Sequence, residues 1–198
     1  MSKERIVLRN AFVRDTTADQ IENRQVEFVI SSEAVDSYRT VFKIDGWNLT
    51  DYTRNPIVCY QHRANSDDPD NIIGTSTVRV ENGELIGTVT FEDAETNPKA
   101  EKIFRKVQSG TLKMASIGAK IEKARFGNEE NGEDKEVLYF TEQRLMEWSI
   151  VSIGSNPDAH KRNAQTVAEL RTELQPEDVT SFDENKRSLR EAELLVNN

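Results

Sequence analysis

The stretch that decides the fold class is GTSTVRVENGELIGTVTF, residues 74–91. Two strand-like runs lie on either side of Asn82 and Gly83. An Asn-Gly pair supplies the positive φ angles of a type I′ turn, which joins two antiparallel strands tightly. The stretch therefore predicts a β-hairpin over residues 74–91.

The same period of two residues recurs on both sides of this hairpin. In residues 25–31 the apolar side chains Val26, Phe28 and Ile30 would share one face, as they do along a strand. Further strands are predicted over 56–62, 112–126 and 137–153. The segment 127–136 is acidic and rich in glycine, so we expect it to be an exposed hairpin loop.

Two regions follow a helical pattern instead. Asn97 can cap a helix that begins at Pro98 and ends at Gly110, with apolar side chains at helical spacing. Beyond residue 156 a thin apolar stripe predicts a second helix, and a charged helix is expected over 183–195. The first pattern gives the apolar positions Ala100, Ile103, Phe104 and Val107, and the second gives Val167, Leu170 and Leu174.

The predicted fold is mainly β with helices, in the α+β class. Many short strands and one internal helix favour a compact barrel or sandwich over residues 24–160. An N-terminal segment, 1–23, precedes it, and a charged helical extension, 161–198, follows it. A chain of 198 residues is long enough for one such domain and too short for a second complete one.

Composition excludes several classes of function. The 26 basic and 35 acidic residues give a net charge of −9, which argues against nucleic acid and against an anionic membrane surface as partners. No apolar stretch has the length of a membrane span or of a secretory signal, so we expect a cytoplasmic protein. The single cysteine, Cys59, excludes an internal disulfide and a multi-thiolate metal site, and we expect no cofactor.

Three apolar segments each contain one reactive side chain. Ser116 lies in MASIGA, residues 114–119, where a strand would place it on the same face as Gly118. The missing side chain at Gly118 leaves a gap beside the hydroxyl that a substrate strand could use. The ordinary interpretation of such a serine is a hydroxyl bonded to a neighbouring carbonyl, and both interpretations stay open at this point.

His62 is the candidate base because the other histidine, His160, lies in a polar segment. It ends the apolar run 56–62, where a histidine is more often simply hydrogen-bonded than catalytic. Cys59 lies three positions earlier, on the opposite face of a strand, so we expect a core residue and no Cys-His dyad.

Glu147 lies between apolar residues in LMEWSIV, residues 145–151. A carboxylate in such a position needs a partner, which is either a basic side chain on a neighbouring strand or the imidazole of a triad. Other carboxylates could take the orienting position. They are Asp36, Asp45, Asp67 and Asp70. The acidic loop 67–71 lacks the spaced oxygen ligands of a calcium loop, and we interpret it as solvated.

Together these residues resemble a known family, the prohead proteases of tailed phages. The resemblance covers residues 24–160 and lies in the order of its segments: a strand ending in Gln61-His62, then Ala115-Ser116-Ile117-Gly118, then Glu147-Trp148-Ser149. The spacing is 116 − 62 = 54 residues from histidine to serine and 147 − 116 = 31 residues from serine to glutamate. Trp148 departs from the family's pattern, in which a smaller aliphatic residue is expected.

The resemblance implies a serine endopeptidase with an assemblin-like β-barrel, closed or partly open, flanked by helices. It implies Ser116 as nucleophile, His62 as base and Glu147 as third member of the site. The implied substrates and partners are the scaffold, the capsid protein precursor and the protease itself, cut inside the assembling prohead in the host cytoplasm. A homo-oligomer is compatible with this interpretation. We hypothesise that the C-terminal helices tether the enzyme to the scaffold.

Two other functions stay open. One is a non-catalytic β-barrel that binds partners in the capsid or scaffold. The other is a small-molecule esterase, although the chain lacks the Gly-x-Ser-x-Gly segment that presents the serine in such enzymes.

Overall fold

The computed structural model describes residues 6–14, 17–36, 38–152 and 167–174. The described part of the chain forms one sheet of nine strands with short helices around it. The strands are β1 Ile6–Val13, β2 Gln25–Ser32, β3 Thr40–Phe42, β4 Trp47–Asn48, β5 Ile57–Tyr60, β6 Ile72–Glu81, β7 Glu84–Phe91, β8 Met114–Phe126 and β9 Leu138–Val151. The helices are α1 Ala18–Glu22, α2 Thr50–Arg54, α3 Pro98–Gln108 and α4, described over 167–174.

The sheet curls into a barrel. Its strands follow the order β9-β5-β6-β7-β2-β1-β8, and β8 pairs again with β9, so that the pairings return to the first strand. The short strands β3 and β4 run parallel to the first half of β9. The pairing of β1 with β2, at Phe12↔Val29 and Val13↔Phe28, is short. The predicted mainly β fold with a barrel-like sheet and flanking helices is confirmed.

The hairpin and the internal helix form where the sequence predicts them. β6 and β7 pair from Glu81↔Glu84 onward, and Asn82 and Gly83 adopt φ angles of 51° and 76° between them. Asn97 accepts a hydrogen bond from the backbone N–H of Ala100 at 3.0 Å and so caps α3. Gly110, with φ of 71°, follows the end of the helix. In the hairpin and in α3, residues close together in the sequence therefore determine the structure.

β1 is not among the predicted strands, because the sequence pattern places residues 1–23 outside the barrel. In the structure β1 pairs antiparallel along β8, from Ile6↔Lys120 to Phe12↔Met114. Asn10 lies opposite Ser116 in this pairing. The strand that carries the candidate nucleophile therefore lies inside the sheet, between β1 and β9.

Alternate residues of β8 and β9 face the hydrophobic core. The buried core cluster includes side chains from both strands, and Ser116, Gly118, Glu147 and Ser149 alternate with them on the opposite face of the sheet. Near these polar residues, the core-facing side chains are Ala115, Ile117 and Ala119 in β8 and Leu145, Trp148 and Ile150 in β9; a register shift opposite Glu147 and Leu145 sets Leu145 and Trp148 three positions apart. The backbone beneath the polar face therefore packs directly against the barrel core.

α4 packs on the barrel with two of its three predicted apolar side chains. Val167 and Leu170 belong to the core cluster, whereas Leu174 is exposed. The predicted domain boundary after residue 160, the residue His160 and the predicted helix 183–195 lie outside the described residues. No helix in the described ranges is long and apolar enough to cross a membrane.

Candidate active site

The pairing of β8 with β9 brings the polar residues of both strands together on one face. Ser116 lies opposite Ser149, and Gly118 lies opposite Glu147. Residues directly opposite each other in an antiparallel pair share a face, with their Cβ atoms about 5 Å apart. The sheet register alone therefore places Ser116 beside Ser149, with the pair of Gly118 and Glu147 next to them on the same face.

Ser116 is nearly buried in the middle of the sheet. Ser116 is only 2% exposed, and the strands β1 and β9, which pair with β8 on either side, fix its backbone. A nucleophile held in this way has little conformational freedom to lose when it reacts. The remaining requirement for chemistry is a base on the same face.

His62 reaches this face through a left-handed turn. β5 ends at Tyr60, and Gln61 and His62 then adopt φ angles of 58° and 57°. The prediction that the strand continues to His62 is therefore wrong by two residues. The side-chain amide of Gln61 donates to Ser152 Oγ at 2.7 Å, and the backbone N–H of His62 donates to Ser149 Oγ at 3.1 Å. These bonds hold a conformation that residues other than glycine rarely adopt.

The structure brings His62 and Glu147 into direct contact. Nδ1 of His62 lies 2.7 Å from Oε1 of Glu147, and the two side chains are 19% and 15% exposed. A carboxylate can only accept, so the proton of this bond lies on Nδ1. In the tautomer that donates from Nδ1, Nε2 of a neutral imidazole carries no proton and can accept one. Of the two kinds of partner considered for Glu147, the structure shows the imidazole.

Ser149 binds this carboxylate, and Gly118 leaves room for it. Ser149 donates its hydroxyl to Oε2 of Glu147 at 2.7 Å. At Gly118, a Cβ atom would lie 2.6 Å from Oε1 of Glu147. The gap at Gly118 is therefore filled by the glutamate, and the expectation that a substrate strand uses it is wrong. The signal for Ser149 was present in its spacing, because it lies two residues after Glu147 and shares its face.

Cys59 is buried, as predicted, but on the polar side of the sheet. It pairs in register with Ser149, and it alternates with Val58, which faces the core. Burial, and to a lesser degree the charge of Glu147, raise the pKa of the Cys59 thiol to about 12. A thiol of this kind is protonated at neutral pH and is a poor nucleophile.

One of the competing carboxylates, Asp36, is engaged elsewhere. Asp36 accepts hydrogen bonds from the backbone of Tyr38 and from both the backbone and the hydroxyl of Thr40, so it stabilises a turn. In the acidic loop, Asp68 pairs with Lys99 at 2.6 Å and caps a short helical turn. Among the described residues, no group of three or more His, Cys, Asp or Glu side chains could hold a metal ion.

Comparison with known proteins identifies the family. A model of the caudovirus prohead serine protease family matches residues 11–173. Comparison with curated proteins found no match. Among solved structures, the capsid assembly protease gp21 of bacteriophage T4 is similar, with a TM-score of 0.52 and 9% sequence identity. The similarity covers 76% of this chain and 99% of the T4 chain, and at this identity it shows a shared fold.

The family match spans most of the chain and includes strands β2 to β9 and all three predicted site residues. It confirms the resemblance stated from the sequence, and it favours a maturation protease over a non-catalytic barrel. The chain belongs to the caudovirus prohead serine protease family.

Proposed function

We propose that this chain is an endopeptidase in which Ser116 is the nucleophile, His62 the general base and Glu147 the residue that orients the imidazole. The observation that carries the proposal is the 2.7 Å contact between His62 Nδ1 and Glu147 Oε1 on the face of the sheet that Ser116 occupies. A hydroxyl, an imidazole and a carboxylate on one face have the chemistry of a serine hydrolase triad.

In the proposed mechanism, the contact with Glu147 fixes the tautomer of His62 and leaves Nε2 to act on Ser116. Nε2 removes the hydroxyl proton as Ser116 Oγ attacks the scissile carbonyl carbon, and the negative charge of Glu147 stabilises the imidazolium that forms. The imidazolium then protonates the leaving amine, so the peptide bond breaks and an acyl-enzyme remains. Water, deprotonated by His62, then attacks the ester carbon; the bond from this carbon to Ser116 Oγ breaks as His62 returns the proton to Oγ, and the new carboxyl terminus leaves.

We propose the scaffold, the capsid protein precursor and the protease itself as substrates, cut within the assembling prohead in the host cytoplasm. Two findings support this choice: the family is described as a prohead serine protease, and the similar T4 protein is described as a capsid assembly protease. Self-association inside the prohead is compatible with the proposal.

The test compares Ser116→Ala with the matched control Ser31→Ala. Both serines are 2% exposed and lie in strands, but Ser31 lies in β2, outside the candidate site. Each full-length variant is co-expressed with the capsid protein precursor of its phage, and intact masses are followed over time. We expect Ser116→Ala to abolish cleavage of both proteins, with the thermal unfolding midpoint retained, and Ser31→Ala to cleave as the wild type does. Continued cleavage by a folded Ser116→Ala variant would contradict the proposal.

A further inference from the structure

Ser149 occupies a position between the two residues that activate the nucleophile. It is fully buried, lies opposite Ser116, and shares a face of β9 with Glu147. Its hydroxyl donates to Oε2 of Glu147 at 2.7 Å and accepts the backbone N–H of His62 at 3.1 Å. One hydroxyl group therefore bonds to both members of the His-Glu pair.

These two hydrogen bonds restrain different parts of the pair: one acts on the Glu147 side chain and the other on the His62 backbone. The bond to Oε2 fixes the rotation of the Glu147 carboxylate, so that Oε1 remains directed at Nδ1 of His62. The bond from the His62 N–H holds a left-handed backbone that a histidine otherwise disfavours. Because the hydroxyl proton is donated to a carboxylate, Ser149 is poorly placed to act as a nucleophile itself.

We infer that Ser149 is a positioning residue for the proteolytic reaction: it holds the His62–Glu147 pair in the geometry that activates Ser116. The inference rests on the proposed function, since it acts through the proposed triad. Ser149 exchanges no atoms with the substrate, and its effect passes through Glu147 and His62. Its loss should therefore lower kcat and leave KM nearly unchanged.

The first test is a double-mutant cycle between Ser149→Ala and Glu147→Ala in the full-length chain. We expect Ser149→Ala to reduce kcat/KM for cleavage of the capsid protein precursor by about 10- to 100-fold, because a hydrogen bond to a charged group is lost. In the Glu147→Ala background the same change should cost less than it does in the wild type, because only the bond from the His62 N–H is left to lose. Wild-type activity in Ser149→Ala, or an undiminished loss in the Glu147→Ala background, overturns the inference.

Thr40→Val is the matched control. Thr40 is also fully buried, and its hydroxyl donates to the carboxylate of Asp36 at 2.6 Å, in β3 and away from the site. Thr40→Val removes a bond from a buried hydroxyl to a carboxylate, as Ser149→Ala does. We therefore expect the two substitutions to lower stability by similar amounts. We expect Thr40→Val to retain wild-type kcat/KM. A loss in Thr40→Val equal to that in Ser149→Ala would overturn the inference, because the effect would then be one of general stability.

The second test does not depend on activity. The chain has only two histidines, so proton NMR of ¹⁵N-histidine-labelled protein can observe His62 once His160→Gln removes the other signal. In the Ser116→Ala background, which should not cleave itself, we expect a downfield Nδ1 proton resonance from the bond to Glu147. Adding Ser149→Ala should abolish or broaden it, and adding Thr40→Val should not. An unchanged resonance overturns the inference. A resonance that depends on Ser149 in a protein whose cleavage survives Ser116→Ala would overturn only the proposed function.

Discussion

Nδ1 of His62 lies 2.7 Å from Oε1 of Glu147 because the chain turns back on itself after β5. β5 runs parallel to β9 in the register Val58↔Trp148, so an extended chain would carry residue 62 to the level of residue 148 + (62 − 58) = 152. The left-handed turn at Gln61 and His62 reverses this advance and returns the imidazole to Glu147. The geometry of the pair therefore depends on two backbone conformations as much as on two side chains.

Replacing Glu147 by glutamine tests the charge of this pair. The substituted side chain would keep its size but would lose the negative charge that stabilises the imidazolium in the proposed mechanism, and its amide oxygen and nitrogen would no longer select one tautomer of His62. We expect Glu147→Gln to lower kcat for precursor cleavage about 100-fold or more with little change in KM, measured by initial rates. The control is Glu142→Gln, an exposed glutamate of the same strand that pairs with Lys123. Equal activity of the two variants would contradict the role of Glu147.

Replacing Gly118 by alanine tests the space that Glu147 occupies. The new methyl group would lie 2.6 Å from Oε1, closer than real contacts allow, and the carboxylate is the part that can move. We expect Gly118→Ala to displace the carboxylate from His62 and to lower kcat about 10-fold or more. In a Glu147→Ala background the added methyl group should cost no further activity, because the clash is gone. A further loss there would assign Gly118 another role.

The sequence predicted those elements whose signals are local. The hairpin at Asn82-Gly83 and the cap of α3 at Asn97 depend on residues within a few positions of one another, so their conformations could be inferred directly. β1 has no such signal, because its place in the sheet is set by pairing with β8, about a hundred residues later. The strand was therefore missed although it lies next to Ser116.

The candidate site was also only partly predictable from the sequence. His62, Ser116 and Glu147 could be proposed as a set from their order and surroundings. The turn at Gln61 and His62 could not, since positive φ is uncommon for any residue other than glycine and the bonds that hold it come from residues in and just after β9. Trp148 departs from the expected smaller aliphatic residue for a reason that is equally non-local. Gly87 provides space for the indole, because a Cβ there would lie 3.1 Å from Trp148 Cε2.

We expect the buried thiol of Cys59 to be unreactive in the folded protein. Its pKa is raised to about 12, so the folded protein keeps the thiol protonated at about pH 8, whereas an unfolded cysteine titrates near 8.5. We expect iodoacetamide at that pH to label the protein in urea and to leave native protein unlabelled and active, as measured by intact mass and cleavage rate. Rapid labelling of native protein with loss of cleavage would instead indicate a thiol nucleophile.

The raised pKa of Cys59 should also make the free energy of unfolding depend on pH. Because the pKa of Cys59 is higher in the folded state, its protonation contributes fully to the free energy of unfolding below the unfolded pKa, near 8.5. This contribution is lost as the pH rises toward 12. The wild type should therefore lose free energy of unfolding more steeply than Cys59→Ala between about pH 9 and 10.5, as measured by urea denaturation. Parallel pH curves for the two proteins would contradict the burial argument.

The contacts of α4 determine where the C-terminal region can be shortened without damage to the barrel. Val167 and Leu170 are 5% and 3% exposed within the core cluster. The Arg171 guanidinium donates to the backbone carbonyls of Tyr38, Arg39 and Glu136, and it lies 5.4 Å from the centre of the Phe126 ring. α4 is therefore part of the folded body, and a deletion that includes it tests stability as well as the proposed tether to the scaffold.

Two truncations separate these effects. Ending the chain after residue 166 removes two buried apolar side chains, worth about 1.5–3 kcal/mol each, and we expect a thermal unfolding midpoint lower by about 10 °C or more. Ending it after residue 174 keeps all of these contacts, so the midpoint should stay within about 2 °C of the wild type. Calorimetry measures both, and incorporation into proheads is then compared for the longer variant alone. If that variant is stable and cleaves precursor but is no longer incorporated, residues 175–198 contain the tether; if it is incorporated normally, the tether hypothesis is wrong.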